Sequence, residues 1–320
     1  MMQAVVVERF GGADGLVVAD VPEPTAGPGQ VLIETEAIGV GGVDVLIRRG
    51  AIGVAGVAEG FVPGSELAGR VVAVGDGVDP GWRGRRVWAF TGTAGAYAAR
   101  AVAGLDDITV LPDGLSSVDA VTVGGAGPVA HFALRHAQLG PGESVLVRGA
   151  AGSIGILAIQ LAAAAGASTI GVTTSSPERG AVLRSFGAEH VLDRAGAGAG
   201  APDEWDVIVD IVGGADVPAF LERLAPAGRM VVVGAVAGFP PPDFGVTLLR
   251  SFQRSLTFST FSLDTVAVPD RNRVRAEHLA SAAAGRLVGV VHDVLPLTAA
   301  AEAHRRMDAG EVVGRIVLTV

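Results

Sequence analysis

Apolar positions fall into two textures along the chain. Up to about residue 115, short runs rich in β-branched residues occur at 2–8, 30–40, 67–74 and 85–89, with Gly- and Pro-containing stretches at 24–29 and 75–84 between them. Runs of this length between close-set turns predict the strands of a compact, barrel-like domain. Beyond that point the period changes. Ser116 and Asp119 have the spacing of a helix start. Strands are then expected over 144–148, 168–173, 191–192, 206–212 and 229–233, alternating with helices over 154–165, 178–186 and 217–224. Such alternation predicts right-handed crossovers and a parallel sheet. The Ala- and Gly-rich piece 195–202 reads as a surface loop. The segment 263–320 reads as helix-rich and closes on a strand over 314–320 that can return to the first domain's sheet.

Composition sharpens this picture. A chain of 320 residues is comfortable for two domains. Hydrophobic residues make up 49% and aromatic ones only 5%, which suits parallel strands packed under small-residue helices. The net charge of −9 argues against a nucleic-acid partner, because phosphate binding needs a basic footprint. Cysteine is absent, which excludes disulfides, thiolate nucleophiles and cysteine-ligated zinc. Lysine is absent too, which excludes Schiff-base chemistry. Residues 1–10 read as a strand and not as a secretion signal. The most apolar stretch, 149–167, contains Ser153 and Gln160 and opens on clustered glycines, unlike a bilayer span. A cytoplasmic protein without a membrane partner is expected.

The strongest local signal is the run Val145-Leu146-Val147-Arg148-Gly149-Ala150-Ala151-Gly152-Ser153-Ile154-Gly155. An apolar strand enters a small-residue turn and a helix begins at once. Small side chains let a pyrophosphate approach the backbone, and the helix start offers free amides and a partial positive charge. Glycines recur at every third position, a variant of the dinucleotide-binding turn. The next strand decides between cofactors. An acid commonly meets the ribose hydroxyls there, yet this strand ends Thr173-Thr174-Ser175-Ser176, with Arg179 shortly after. Hydroxyls and a guanidinium suit a 2′-phosphate, so NADPH is the expected cofactor.

Several segments together resemble the medium-chain dehydrogenase/reductase superfamily in its zinc-independent quinone oxidoreductase branch. They are Gly39–Gly50 with Gly41, Asp44 and Arg48; Pro63-Gly64-Ser65-Glu66; Gly95-Ala96-Tyr97-Ala98; the glycine-rich turn; Gly228-Arg229 leading to Val233-Gly234; Ala303-His304-Arg305-Arg306; and Val313-Gly314-Arg315-Ile316. The resemblance implies an α/β chain: a Rossmann doubly wound parallel sheet over 125–262, and a discontinuous GroES-like β domain over 1–124 and 263–320. Zinc-dependent relatives carry a histidine at the position of Ser65 and a cysteine near Gly41, so the resemblance implies no metal here. Without a Lewis acid, alcohol oxidation is disfavoured and hydride transfer to an electrophile fits better. The cofactor contacts it implies are Gly41, Val129, Ala151, Gly152, Ser153, Ile154, Thr174, Ser175, Arg179, Arg194, Val212, Val233, Gly234, Ala235, Phe261 and Arg315.

The departures fall on the substrate side. The family's usual Asn, Tyr and Thr stand here as Gly41, Ile52 and Val129, which opens space for a bulkier or more apolar substrate. The usual 2′-phosphate lysine corresponds to Arg179, and a tyrosine near that phosphate to Arg194. Candidate catalytic groups are His131, where relatives often carry an aromatic hydroxyl, together with Asp44 and Arg48, whose spacing of four would allow them to pair on a helix. Tyr97 and Glu66 read as structural. Three readings follow: NADPH-dependent reduction of a quinone, reduction of an α,β-unsaturated carbonyl, or dinucleotide binding with little catalysis. The partner is then a small electrophile, and an apolar run at 256–261 would form an edge strand pairing across a homodimer.

Overall fold

The computed structural model describes residues 1–53 and 57–320. The chain divides into two compact units: Met1–Gly125 with Val268–Val320, and Ala126–Ala267.

The first unit is built on β strands. β1 (Met2–Val7) and β2 (Leu16–Val21) pair antiparallel as a separate ribbon. β3 (Gln30–Gly39) is the long central strand, followed by α1 (Gly42–Arg48), β4 (Glu66–Val74), β5 (Arg86–Phe90), β6 (Arg100–Gly104), β7 (Ile108–Val110) and α2 (Ser117–Val123). Ser116 caps α2 as its spacing from Asp119 predicts, its Oγ accepting the Asp119 amide at 2.9 Å.

The second unit carries the strand–helix alternation. α3 (Ala126–His136) leads to β8 (Ser144–Arg148), α4 (Ser153–Ala164), β9 (Thr169–Thr173), α5 (Pro177–Arg184) and β10 (His190–Leu192). Then come β11 (Trp205–Asp210), α6 (Val217–Leu221), β12 (Leu224–Val232), α7 (Gly245–Arg250) and β13 (Thr257–Thr260). All six strands pair in parallel, in the order β10-β9-β8-β11-β12-β13. This is the doubly wound order, with its reversal between β8 and β11. The interior strands are apolar on both faces because helices cover both. Trp205 is fully buried at the start of β11, in a space that exists because residue 171 is glycine: a Cβ there would lie 2.3 Å from the indole.

The chain then returns to the first unit through α8 (Val268–Ala283), β14 (Val291–Pro296), α9 (Ala300–Asp308) and β15 (Arg315–Thr319). β15 inserts between β14 and β3, pairing Val317 with Gly39 and Leu318 with Ile38, so the sheet runs β14-β15-β3-β4-β5-β7 with β6 also on β3. The segment 263–267, expected with the terminal part, groups instead with the second unit, since the short turn Leu263–Thr265 packs on α3. β2, β6, β7 and β14 are absent from the sequence-based expectation. They are short or alternate in burial, and tertiary pairing decides them. Among the described residues, no helix is long and apolar enough to cross a membrane.

Candidate active site and cofactor cradle

Because the six strands of the second unit run in parallel, their carboxyl ends share one edge, and the expected cofactor contacts follow those ends in turn. Ala151, Gly152, Ser153 and Ile154 come after β8; Thr174, Ser175 and Arg179 after β9; Arg194 after β10. Val212 follows β11, Val233, Gly234 and Ala235 follow β12, and Phe261 follows β13, where its ring meets His136 at 5.7 Å.

The glycine-rich turn is shaped for close approach. Gly149 has a φ of +78°, a conformation that favours glycine. A Cβ on Gly155 would lie 2.4 Å from the Ala150 backbone, so α4 packs against its own strand only with glycine there. Gly152, the N-cap of α4, faces open space and offers no side-chain cap, leaving the first amides of a twelve-residue helix to a ligand. After β9, Arg179 Nη1 donates to Ser175 Oγ at 3.0 Å. The buried Thr174 Oγ1 has no hydrogen-bond partner within the protein. An orphaned hydroxyl, next in sequence to a serine that a guanidinium holds, fits the ribose end of a dinucleotide. Val129 and His131 lie half-buried on α3, with the His131 ring edge-on to Phe132 at 5.0 Å.

In the first unit the structure gathers Gly41, Asp44 and Arg315 with residues that the sequence left as structural. Asp44, buried on α1, accepts from the Gly41 amide at 2.8 Å and from Ser65 Oγ at 3.1 Å. Tyr97 Oη lies 3.4 Å from its Oδ2 and 3.0 Å from His304 Nε2. The expected Asp44–Arg48 pair does not form. Arg48 turns to Asp308 at 2.7 Å and to the Gly11 carbonyl, on the side of α1 that meets α9, while Asp44 folds back onto the helix start as a cap. Arg315 is committed to a buried ion pair with Glu66 and to the carbonyls of Val40 and Val121. Glu66 also accepts from Trp88 Nε1 at 2.8 Å. Tyr97 and His304 were missed as members of a polar chain. Tyr97 stands out as a polar ring among small residues, but His304 lies in a charged helix segment, and only tertiary structure brings the two together.

Burial sets the charge states of this chain. It pushes the Asp44 carboxyl up to about 6, overriding the lowering effects of the Gly41 amide, Arg315 and Ser65. It also pushes the Tyr97 phenol well above its ordinary value. Burial, helped by the Arg48 charge, holds the His304 imidazole down to about 3, so the ring is neutral.

Sequence comparison agrees with this architecture. The Zinc-binding dehydrogenase family profile matches residues 153–288, and the Alcohol dehydrogenase GroES-like domain profile matches residues 27–130. A quinone oxidoreductase of Pseudomonas aeruginosa is 31% identical over 99% of both chains. The chain belongs to the medium-chain dehydrogenase/reductase superfamily, in its quinone oxidoreductase branch. Also similar to this quinone oxidoreductase-family chain are a 2-haloacrylate reductase of Burkholderia, 30% identical over 99% of both chains, and a mycobacterial protein solved in complex with NADPH. The latter superposes with a TM-score of 0.90 at 29% identity over the full length of both. The zinc named by the first profile does not fit these residues. The chain has no cysteine, position 65 is Ser, and among the described residues no cluster of three His, Asp or Glu could hold a metal.

Asp44 and His304 oppose each other in acid. Between pH 3.8 and 6 native Asp44 holds a proton that the unfolded chain lacks, so its contribution is full below this window and lost as pH rises through 6. Between pH 3 and 6.5 the unfolded chain protonates His304 while the native ring stays neutral, so that contribution is full above 6.5 and lost on acidification. The two nearly cancel from pH 6 to 4. His304→Gln removes one side of the balance. The unfolding free energy of the parent relative to this variant, from urea titrations, is expected to fall by about 1.4 kcal/mol per pH unit across that range. A pH-independent difference would refute the neutral, buried imidazole.

Proposed function

We propose that the protein transfers hydride from NADPH to a quinone in the cytoplasm. One feature carries this reading: β9 is followed by Thr174 and Ser175, with Arg179 bonded to Ser175, where an acid would otherwise meet the ribose. A guanidinium and hydroxyls attract a phosphate, and an acid would repel it. The NADPH bound to the mycobacterial neighbour supports the same choice. The cofactor, when bound, supplies the hydride. The chain's part is to hold it: the α4 amides and the residues after the glycine turn take the pyrophosphate, Thr174, Ser175, Arg179 and Arg194 the phosphorylated ribose, and Val233, Gly234 and Ala235 the far end. Without a Lewis acid, the acceptor must already be electrophilic, as a quinone is.

Reduction of an activated double bond is the second reading, favoured by the 2-haloacrylate reductase among the relatives. It differs in needing a proton donor at carbon, for which His131 is the candidate. We also propose a homodimer in which β13, one of the two edge strands of the six-stranded sheet, pairs with its symmetry mate. Leu249 and Phe252, exposed just before it in the chain, would be covered in that assembly.

Replacing Arg179 by Ala is expected to weaken NADPH binding about tenfold while leaving NADH binding within about twofold; equal losses for both in a fluorescence titration would sink the 2′-phosphate assignment. Following NADPH absorbance against benzoquinones and enones separates the two reactions. Quinone turnover is expected, and His131→Phe should leave it unchanged. Turnover confined to enones and abolished by His131→Phe would establish the second reading, and tight NADPH binding with no turnover at all would mark a binding protein. Light scattering should return the mass of two subunits, and a one-subunit mass would remove the edge-strand dimer.

A further inference from the structure

The second unit holds a buried ion pair to which none of the preceding assignments gives a role. Arg148 closes β8, immediately before the glycine-rich turn, and is 2% exposed. Its Nη1 donates to Asp210 Oδ2 at 3.0 Å and to the Gly213 carbonyl at 2.8 Å. Its Nη2 lies 3.5 Å from Asp216, and its guanidinium stacks 4.2 Å over the Phe220 ring of α6. Asp210 closes β11 and turns its other oxygen into the following loop, accepting the Val212 and Gly213 amides at 2.8 and 3.1 Å.

That loop is wound through two left-handed glycines, Gly213 at φ +64° and Gly214 at φ +76°. It is tied onward to the segment after β12: the Gly214 amide donates to the Gly238 carbonyl and the Ala237 amide to the Val212 carbonyl, both at 2.8 Å. It is tied back to the glycine-rich turn through Val212, whose Cγ2 stands 2.6 Å from where a Cβ on Gly149 would be. One guanidinium and its carboxylate therefore join the segments that leave β8, β11 and β12, on either side of the reversal in strand order.

An ion pair this deep gives up hydration that its mutual attraction only partly returns, and apolar residues of similar volume pack a sheet as well or better. What apolar residues lack is an acceptor for the Val212 and Gly213 amides and a donor for the Gly213 carbonyl. The pair's distinctive output is thus the conformation of residues 211–214, not the cohesion of the sheet. We propose that Arg148 is a positioning residue for the dinucleotide: through Asp210 it fixes the 211–214 loop, and Val212 with it, against the glycine-rich turn, so that cofactor affinity depends on this ion pair. The inference rests on the reading of this unit as an NADPH site.

The test titrates NADPH and NADH, by their fluorescence, into the full-length parent, Arg148→Met, Arg148→Lys and Asp210→Asn, each well below its own Tm. Arg148→Met is expected to weaken both dinucleotides by a common factor of at least about tenfold, since the 2′-phosphate groups after β9 are untouched. Arg148→Lys, which keeps a charged donor for Asp210 but lacks the planar guanidinium that stacks on Phe220 and reaches Asp216 with its second nitrogen, should lose less. A purely structural role would lower Tm and leave both dissociation constants at the parent's values, and that result overturns the proposal. Should Arg148→Met not fold, Asp210→Asn decides by the same criterion. The common factor separates this effect from Arg179→Ala, which should divide NADPH from NADH. A parent that binds neither dinucleotide would overturn the NADPH reading and this inference with it, whereas parent-like binding by the folded variants would overturn the inference alone.

Discussion

The contact between α4 and its own strand governs much of the second unit. Gly155 sits against the Ala150 backbone with no room for a methyl group. That approach sets how steeply the helix leaves the turn, and hence where its first amides point. Six parallel strands then bring every following loop to the same edge. These loops keep local shapes of their own, as the left-handed Gly213 and Gly214 show. They converge because parallel strands have a common direction and because the connections reverse between β8 and β11.

Much of this was legible in the sequence because its signals are local. Gly149, Gly152 and Gly155, the apolar run before them and the hydroxyls at Thr174 and Ser175 announce themselves within about thirty residues. The parallel strands were readable for the same reason, each being a short apolar block followed by a helical period. The first unit was less legible. β6 and β14 alternate weakly and acquire their identity from β3 and β15, far away in sequence. Asp44 and Arg48 show the limit of helical spacing as a guide: neighbours on a helix face pair only when neither has a better partner, and each had one, in Ser65 and Asp308. Arg148 and Asp210 closed two apolar strands in plain view, but 62 residues separate them, and only the sheet register shows that they meet.

The two units handle buried charge differently. In the second, Arg148 and Asp210 neutralise each other while their remaining hydrogen bonds shape a loop. In the first, Glu66 and Arg315 pair, while Asp44, Tyr97 and His304 form a chain in which burial keeps the phenol and the imidazole neutral and raises the Asp44 carboxyl to about 6. This chain ends at Ser65, the position at which zinc-dependent relatives carry a histidine.

The place of β15 in the first sheet has a consequence for biosynthesis. The nucleotide unit is one continuous stretch and is complete once residue 267 has been made. The first unit lacks an interior strand until residues 315–319 leave the ribosome, and the Ile38–Gly39 end of β3, beyond its pairing with β6, must wait unpaired on that edge. The order of synthesis and the order of completion are therefore inverted. The part made before the nucleotide unit is the part that a nascent-chain chaperone would have to guard longest, and loss of residues 315–319 would remove an interior strand and cut β14 off from the rest of the sheet.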